Sequence, residues 1–192
     1  MNTRRDSPPR FAWGLTGSGH FLEESLEIAK RLPAVDFFLS RAVEEVLKMY
    51  GCDRGLREAG YRLHRDNTAS SVPVGELYRG AYHTFVMAPA TSNTVAKCVA
   101  GISDNLVSNF FAQAGKCRIE SIVYACDTEP VVITPAPGEM VTVYPRRVDL
   151  ECAEKLGEFE YTTLVKNMDD LGAALERRVE WAGGQWPNAS CS

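Results

Sequence analysis

The residues able to do chemistry gather in three stretches, Thr16-Gly17-Ser18-Gly19-His20, Ser40-Arg41 and Ala90-Thr91-Ser92-Asn93-Thr94, with a fourth polar group at Ser103-Asp104-Asn105. Glycines leave main-chain N–H groups accessible, hydroxyls and the Asn93 amide add short polar groups, and a helix that starts at such a turn presents a positive dipole end. That set suits an anionic or electron-rich ligand. Each stretch also has a plainer use. Ser92, Asn93 and Thr94 can cap a helix, as can Ser40, and Gly-Ser-Gly can be only a tight turn. His20 can meet a phosphate or substrate, or lie solvated. Lys97 can face a ligand or water.

The elements needed to position these groups are readable. Thr84-Phe85-Val86-Met87 is an apolar run of strand type that Pro89 should end. Val95, Cys98, Val99, Ile102, Leu106 and Val107 then recur at helical spacing and predict one buried helix through them. In it Ser103-Asp104-Asn105 would be costly without partners, whether ligand, neighbouring subunit or water. Phe11 to Leu15 reads as a buried strand before the glycine turn, with a helix from Phe21 carrying Glu23 and Glu24 in its first turn. Ala34 to Leu39 is a second strand with Ser40 at its carboxyl end, followed by a helix from Ala42 to Tyr50.

Later in the chain, Cys117–Cys126, Val131–Thr134 and Met140–Tyr144 read as strands, Asp149–Leu156 and Met168–Arg178 as helices, and Tyr161–Leu164 as extended. Pro73 to Arg79 reads as a short helix, and Gly115 as a helix break. Residues 1–10 read as a disordered arm, 11–178 as one domain and 179–192 as a tail. Alternating strands and helices predict an α/β fold with a doubly wound, mostly parallel sheet. In such a sheet the turns at Gly17, Ser40 and Asn93 gather at one carboxyl edge, where ligands bind.

Composition excludes several classes. The 192 residues are 45% hydrophobic and 24% charged, and the net charge of −4 gives no reason to expect nucleic acid or an anionic membrane as partner. An anion site must be made locally, from amides and hydroxyls. No apolar run approaches the ~18 residues of a membrane span, and the basic start MNTRRDSPPR lacks the apolar segment of a secretory signal. The six cysteines, Cys52, Cys98, Cys117, Cys126, Cys152 and Cys191, have no zinc or iron–sulfur spacing. Free thiols in a cytoplasmic protein are expected, with no metal site.

Two motifs are familiar. Pro89-Ala90-Thr91-Ser92-Asn93-Thr94 and Gly101-Ile102-Ser103-Asp104-Asn105-Leu106 resemble the P-A-S-A-N-T and G-I-x-D-N-L motifs of the homo-oligomeric flavin-containing cysteine decarboxylases. Trp13 to His20, Phe38 to Ala42 and Tyr144 to Arg147 are closer to a subgroup, the archaeoflavoproteins and DmrB-type dihydromethanopterin reductases. The resemblance runs over about residues 11–175. It implies FMN in a flavodoxin-like (Rossmann-like), three-layer α/β/α fold, in trimers able to build a dodecamer or larger shell.

Carried over, Thr16, Gly17, Ser18, Gly19, Ser40 and Arg41 would hold the phosphate end. Ala90, Thr91, Ser92, Asn93 and Thr94 would line the isoalloxazine, with Asn93 and His20 as catalytic groups. Lys97, Ser103, Asp104 and Asn105 would support the site, Asp104 and Asn105 across a subunit boundary. The expected activity is FMN-dependent reduction of a dihydropterin to its tetrahydro form, with NAD(P)H as a candidate electron donor. The alternatives are a flavin-dependent cysteine decarboxylase and an electron-transfer flavoprotein serving a protein partner. Ala125 to Pro130 lacks the decarboxylases' substrate clamp, which argues against the first alternative.

Overall fold

A computed structural model describes residues 9–66, 71–136 and 138–185. The chain forms β1 (Arg10–Leu15), α1 (Leu22–Ala29), β2 (Val35–Leu39), α2 (Arg41–Met49), α3 (Asp53–Glu58) and β3 (Arg62–Arg65). It continues through α4 (Ser71–Val74), a 3₁₀ turn (Leu77–Arg79), β4 (Tyr82–Ala90), α5 (Ser92–Val99), α6 (Leu106–Lys116) and β5 (Glu120–Ala125). β6 (Val132–Ala136), β7 (Glu139–Val143), α7 (Arg147–Gly157), β8 (Thr162–Val165) and α8 (Met168–Gln185) follow.

Six strands pair in the order β3-β2-β1-β4-β5-β8, every pair parallel, while β6 and β7 form a separate antiparallel hairpin. The winding reverses between β1 and β4, so the switch-point crevice lies beyond their carboxyl ends.

The central strands are apolar runs because both faces of the sheet are covered. Phe11, Trp13, Leu15, Phe37 and Val86 point into one core beneath α1, α2 and α8. Ala12, Phe38, Phe85, Met87 and Val123 point into the other, beneath α5, α6 and α7. The period of two along each strand thus makes a three-layer α/β/α molecule, the flavodoxin-like arrangement. Gly14 is required on the second face: a Cβ there would sit 2.9 Å from Phe85 and 3.0 Å from Val107.

Several sequence expectations change. Pro89 does not end the strand; β4 runs on to Ala90 through a cis Ala88–Pro89 bond and a register shift. The helix expected through Val95–Val107 is two helices. Gly101, at φ 72, turns the chain between α5 and α6, and Ile102 is 48% exposed. Ser103-Asp104-Asn105 therefore lies in a connection, where Asn105 caps α6 through Ser108 N–H at 3.0 Å. Gly115 is inside α6, which ends at Lys116, and β5 starts only at Glu120 because Arg118 turns the chain with φ 56.

Phe21 caps α1 with φ 50 rather than beginning it. α7 starts at Arg147, not Asp149. α8 continues through Trp181 to Gln185, where a tail was expected, because Arg178 packs 3.9 Å from the Trp181 ring centre. Arg10 belongs to β1; residues 1–8 and 186–192 of the expected arm and tail lie outside the described residues. Among the described residues no helix is long and apolar enough to cross a membrane.

Candidate functional site: the carboxyl-edge crevice

Thr16, buried just past β1, staples the switch point. Its hydroxyl donates to Pro89 O at 2.9 Å and accepts from Thr91 N–H at 2.8 Å. The ends of β1 and β4 are thereby fixed to each other. Thr91, not Ser92 or Asn93, is the N-cap of α5; its hydroxyl accepts from Thr94 N–H at 3.3 Å and lies 3.0 Å from the Thr94 hydroxyl.

The glycine turn folds back with Ser18 N–H donating to Thr16 O at 2.7 Å, and Ser18 Oγ accepts from His20 N–H at 3.1 Å. Ser40 does cap α2, accepting from Val43 N–H at 3.3 Å, while its own N–H donates to Leu15 O at 3.0 Å.

Glycine is needed at the turn for closeness. A Cβ on Gly17 would fall 2.7 Å from the Ala42 Cβ in the first turn of α2, and one on Gly19 would strike the Tyr50 ring. The turn is thus pressed against the start of α2, and Thr16 holds it against the start of α5. The N–H groups of Gly17, Gly19, Arg41, Ala42, Ser92 and Asn93 have no acceptor among the described residues. Free N–H groups at converging helix starts form a positive cradle without a side-chain cation. A phosphate monoester fits that donor set.

The far wall comes from β5 and the hairpin. Cys126 N–H donates to Ala90 O at 3.0 Å, and its Sγ lies 3.1 Å from Ser18 Oγ. Burial pushes this thiol up to about 12, so it is neutral. Asp127 accepts a hydrogen bond from the Ser92 hydroxyl. His20 Nδ1 lies 2.9 Å from Thr134 Oγ1, and its ring stacks 6.0 Å from Tyr124. Burial lowers the pKa of His20, with Asp127 and Glu24 pulling the other way, so a neutral imidazole is favoured at pH 7. Its Nε2 has no hydrogen-bond partner among the described residues. Tyr50 Oη donates to Pro135 O at 2.9 Å, tying the hairpin to α2.

Thr16, Gly17, Ser18, Gly19, His20, Ser40, Ala90, Thr91, Ser92 and Thr94 are thus brought together or into adjoining turns. Arg41 and Asn93 stand exposed in the first turns of α2 and α5, beside them. Lys97, Asp104 and Asn105 form a group of their own: Lys97 Nζ is 2.7 Å from Asp104 Oδ2, and Asn105 donates to Asp104 at 3.2 Å. Ser103 lies in the same connection.

Tyr50, Asp127, Thr134 and Cys126 are crevice residues that the sequence reading does not name as such. Asp127 follows β5 as Ser40 follows β2, so the carboxyl-edge rule could have found it. Tyr50 and Thr134 carry no local signal.

An all-parallel, doubly wound sheet with an amide-lined crevice at its switch point defines a flavodoxin-like cofactor-binding protein. The chain belongs to the Flavoprotein family, whose model matches residues 1–179. It is similar to DmrB of Burkholderia xenovorans, solved in complex with FMN and described as a cubic protein cage for redox transfer. The identity is 55%, the TM-score 0.84, and the match covers 92% of this chain and 98% of that one.

A dihydromethanopterin reductase of Methanocaldococcus jannaschii is 39% identical over 147 residues, 70% of this chain. The match spans 60% of that reductase's length. An uncharacterized protein of the same organism is 35% identical over 89% of this chain and 96% of its own length.

Proposed function

We propose that the chain binds FMN in the carboxyl-edge crevice and uses it to reduce a dihydropterin to the tetrahydro form. The observation that carries this reading is the cradle of free N–H groups between Gly17, Ala42 and Asn93. It lies in a chain that shares 55% identity with an FMN complex. Gly17, Ser18, Gly19 and Ser40, with the main chain of Arg41 and Ala42, hold the phosphate. Ala90, Thr91, Ser92, Asn93 and Thr94 run along the isoalloxazine.

Bound FMN supplies hydride and electron transfer; the chain supplies position, polarity and exclusion of water. Asn93 and the Nε2 of His20 are the groups free to orient a pterin at the ring. Cys126 and Phe21 are apolar walls beside them. Half-buried Lys97 and exposed Asp104, satisfied by each other, are set to meet a neighbouring copy rather than the flavin of their own chain. Self-association in trimers and a larger shell belongs to the same proposal. It is supported by the exposed apolar surface of Ile133, Met140 and Tyr144 and by the cage described for DmrB.

The test is anaerobic. The FMN-loaded protein is reduced, then mixed with dihydromethanopterin or dihydrofolate while flavin absorbance is followed. Rapid return of the oxidised spectrum with a pterin supports the reading. Return only with a protein acceptor overturns it in favour of an electron carrier.

A further inference from the structure

The opposite end of the sheet carries a second cavity, of about 660 Å³. Pro9, Tyr82, His83, Glu120 and Tyr161 stand at or just before the amino ends of β1, β4, β5 and β8, and α8 closes one side. The length of β4 separates it from the flavin crevice, about 26 Å at the usual strand rise.

Its charge is one-sided. Lys116, Arg118 and Arg178 line it, and none makes an ion pair among the described residues. The one carboxylate in the lining, Glu120, accepts from Thr163 Oγ1 at 2.6 Å. Arg178 is anchored by neutral groups. Its Nε donates to Thr84 Oγ1 at 2.9 Å, its Nη2 to His83 O at 3.0 Å, and the guanidinium lies 3.9 Å from the Trp181 ring centre. That leaves Nη1 without a hydrogen-bond partner among the described residues. His83 is held down to about 4 by burial and by Arg178, so it adds no charge of its own. The hydrogen bonds of this half-buried guanidinium go only to neutral groups, and although the Glu120 carboxylate acts on it across the lining, three cations against one acid leave room for an arriving anion.

Arg118 supplies an independent sign. It holds φ 56 at the turn from α6 to β5, where glycine is the unstrained choice. Strain kept at the rim of a cavity points to a use for the side chain. The lining is also aromatic. Of the five exposed aromatic side chains among the described residues, Tyr78, Tyr161 and Trp181 line this cavity.

We propose that the amino-edge cavity binds a nucleotide, its phosphate among Lys116, Arg118 and Arg178 and its base against Tyr78, Tyr161 or Trp181. A nucleic-acid strand would need a row of cations. Here three are confined to one cavity on a chain of net charge −4.

The test uses the full chain loaded with FMN, titrated calorimetrically with adenosine 5′-monophosphate and, separately, with inorganic phosphate. The nucleotide is expected to bind once per chain without releasing flavin, and more tightly than phosphate. Lys116→Ala and Arg118→Gly should each weaken it about tenfold or more. Arg118→Gly should also raise the melting temperature by about 2–4 °C, which separates loss of a ligand contact from loss of fold. Absence of binding, equal binding of phosphate, displacement of FMN, or affinity unchanged in both variants would each overturn the proposal. The readouts are independent of pterin reduction.

Discussion

At the carboxyl edge of the sheet the positive groups are main-chain N–H donors from three turns, with hydroxyls between them and no buried cation. At the amino edge they are the guanidinium and ammonium groups of Arg118, Arg178 and Lys116, drawn from α6, α8 and the turn before β5. Helix polarity explains the difference. In a parallel α/β layer the helices run against the strands, so α2 and α5 start at the carboxyl edge and direct their positive ends there. α6 ends at the amino edge with its negative end, and an anion there needs side-chain charge to overcome it. Backbone donors are fixed by the fold itself; cations must be held in place by other contacts, as Thr84, His83 and Trp181 hold Arg178.

Breaking the carboxyl edge should have the largest effect. Thr16→Val keeps shape but strands Pro89 O, which is buried, and Thr91 N–H, which is half-buried. About 3 kcal/mol of stability should go, together with most bound FMN. Thermal melts and flavin absorbance would show it, and a variant that keeps both would mean the turns hold themselves.

The amino edge is tested by acid. His83 has its pKa lowered to about 4 by burial and by Arg178, so protons bind better to the unfolded chain. Its contribution is fully present above the unfolded pKa near 6.5 and is lost as pH falls from there through about 4. After allowance for screening, the loss should be on the order of 2 kcal/mol. His83→Phe should flatten that limb of a stability-versus-pH curve; an unchanged limb would place the acid sensitivity elsewhere.

Smaller effects sharpen the contrast. Tyr50→Phe removes the bond to Pro135 O and should cost the β6–β7 hairpin about 1 kcal/mol, read by hydrogen exchange in β6. Equal exchange in both proteins would show that Thr134 alone fixes the hairpin. Asn93→Asp should change stability least, by about 0.5 kcal/mol and in the favourable direction. An acid in the first turn suits the dipole, and Thr91 is the cap. At the proposed place beside the ring, its charge should lower the flavin reduction potential and slow the proposed pterin reduction. Wild-type potential and turnover at full FMN occupancy would remove Asn93 from the site.

Most of the sheet was legible because strands buried on both faces read as apolar runs, and polar turns directly after them mark the carboxyl edge. Ser40 was found this way, both as cap and as edge residue. The helix from Val95 to Val107 failed because apolar spacing continues across Gly101 by coincidence; Ile102 fits the period yet faces solvent. Pro89 misled because a proline can stand in a strand where the register shifts. Tyr50 and Thr134 reach the crevice, and Arg178 the opposite cavity, through partners 85, 114 and 94 residues away. No local pattern encodes such separations. Arg118 is the reverse case, a local anomaly visible only as a backbone angle.

The strand order also sets a schedule for synthesis. β1 is central, and its second edge pairs with β4, with Phe11 opposite Thr84, a separation of 84 − 11 = 73 residues. At ribosomal rates of about 5–20 residues per second, that edge stays open for roughly 4–15 s after β1 emerges. During this interval β1 can be covered on one edge only, by β2, while Ala12 and Gly14, on the face that Phe85 and Val107 complete, await a partner. An apolar strand with a free edge is the template for wrong pairing. The nascent chain is therefore most vulnerable before residue 90 leaves the ribosome, and slowing translation ahead of β4 should lower the soluble yield more than slowing it after β5.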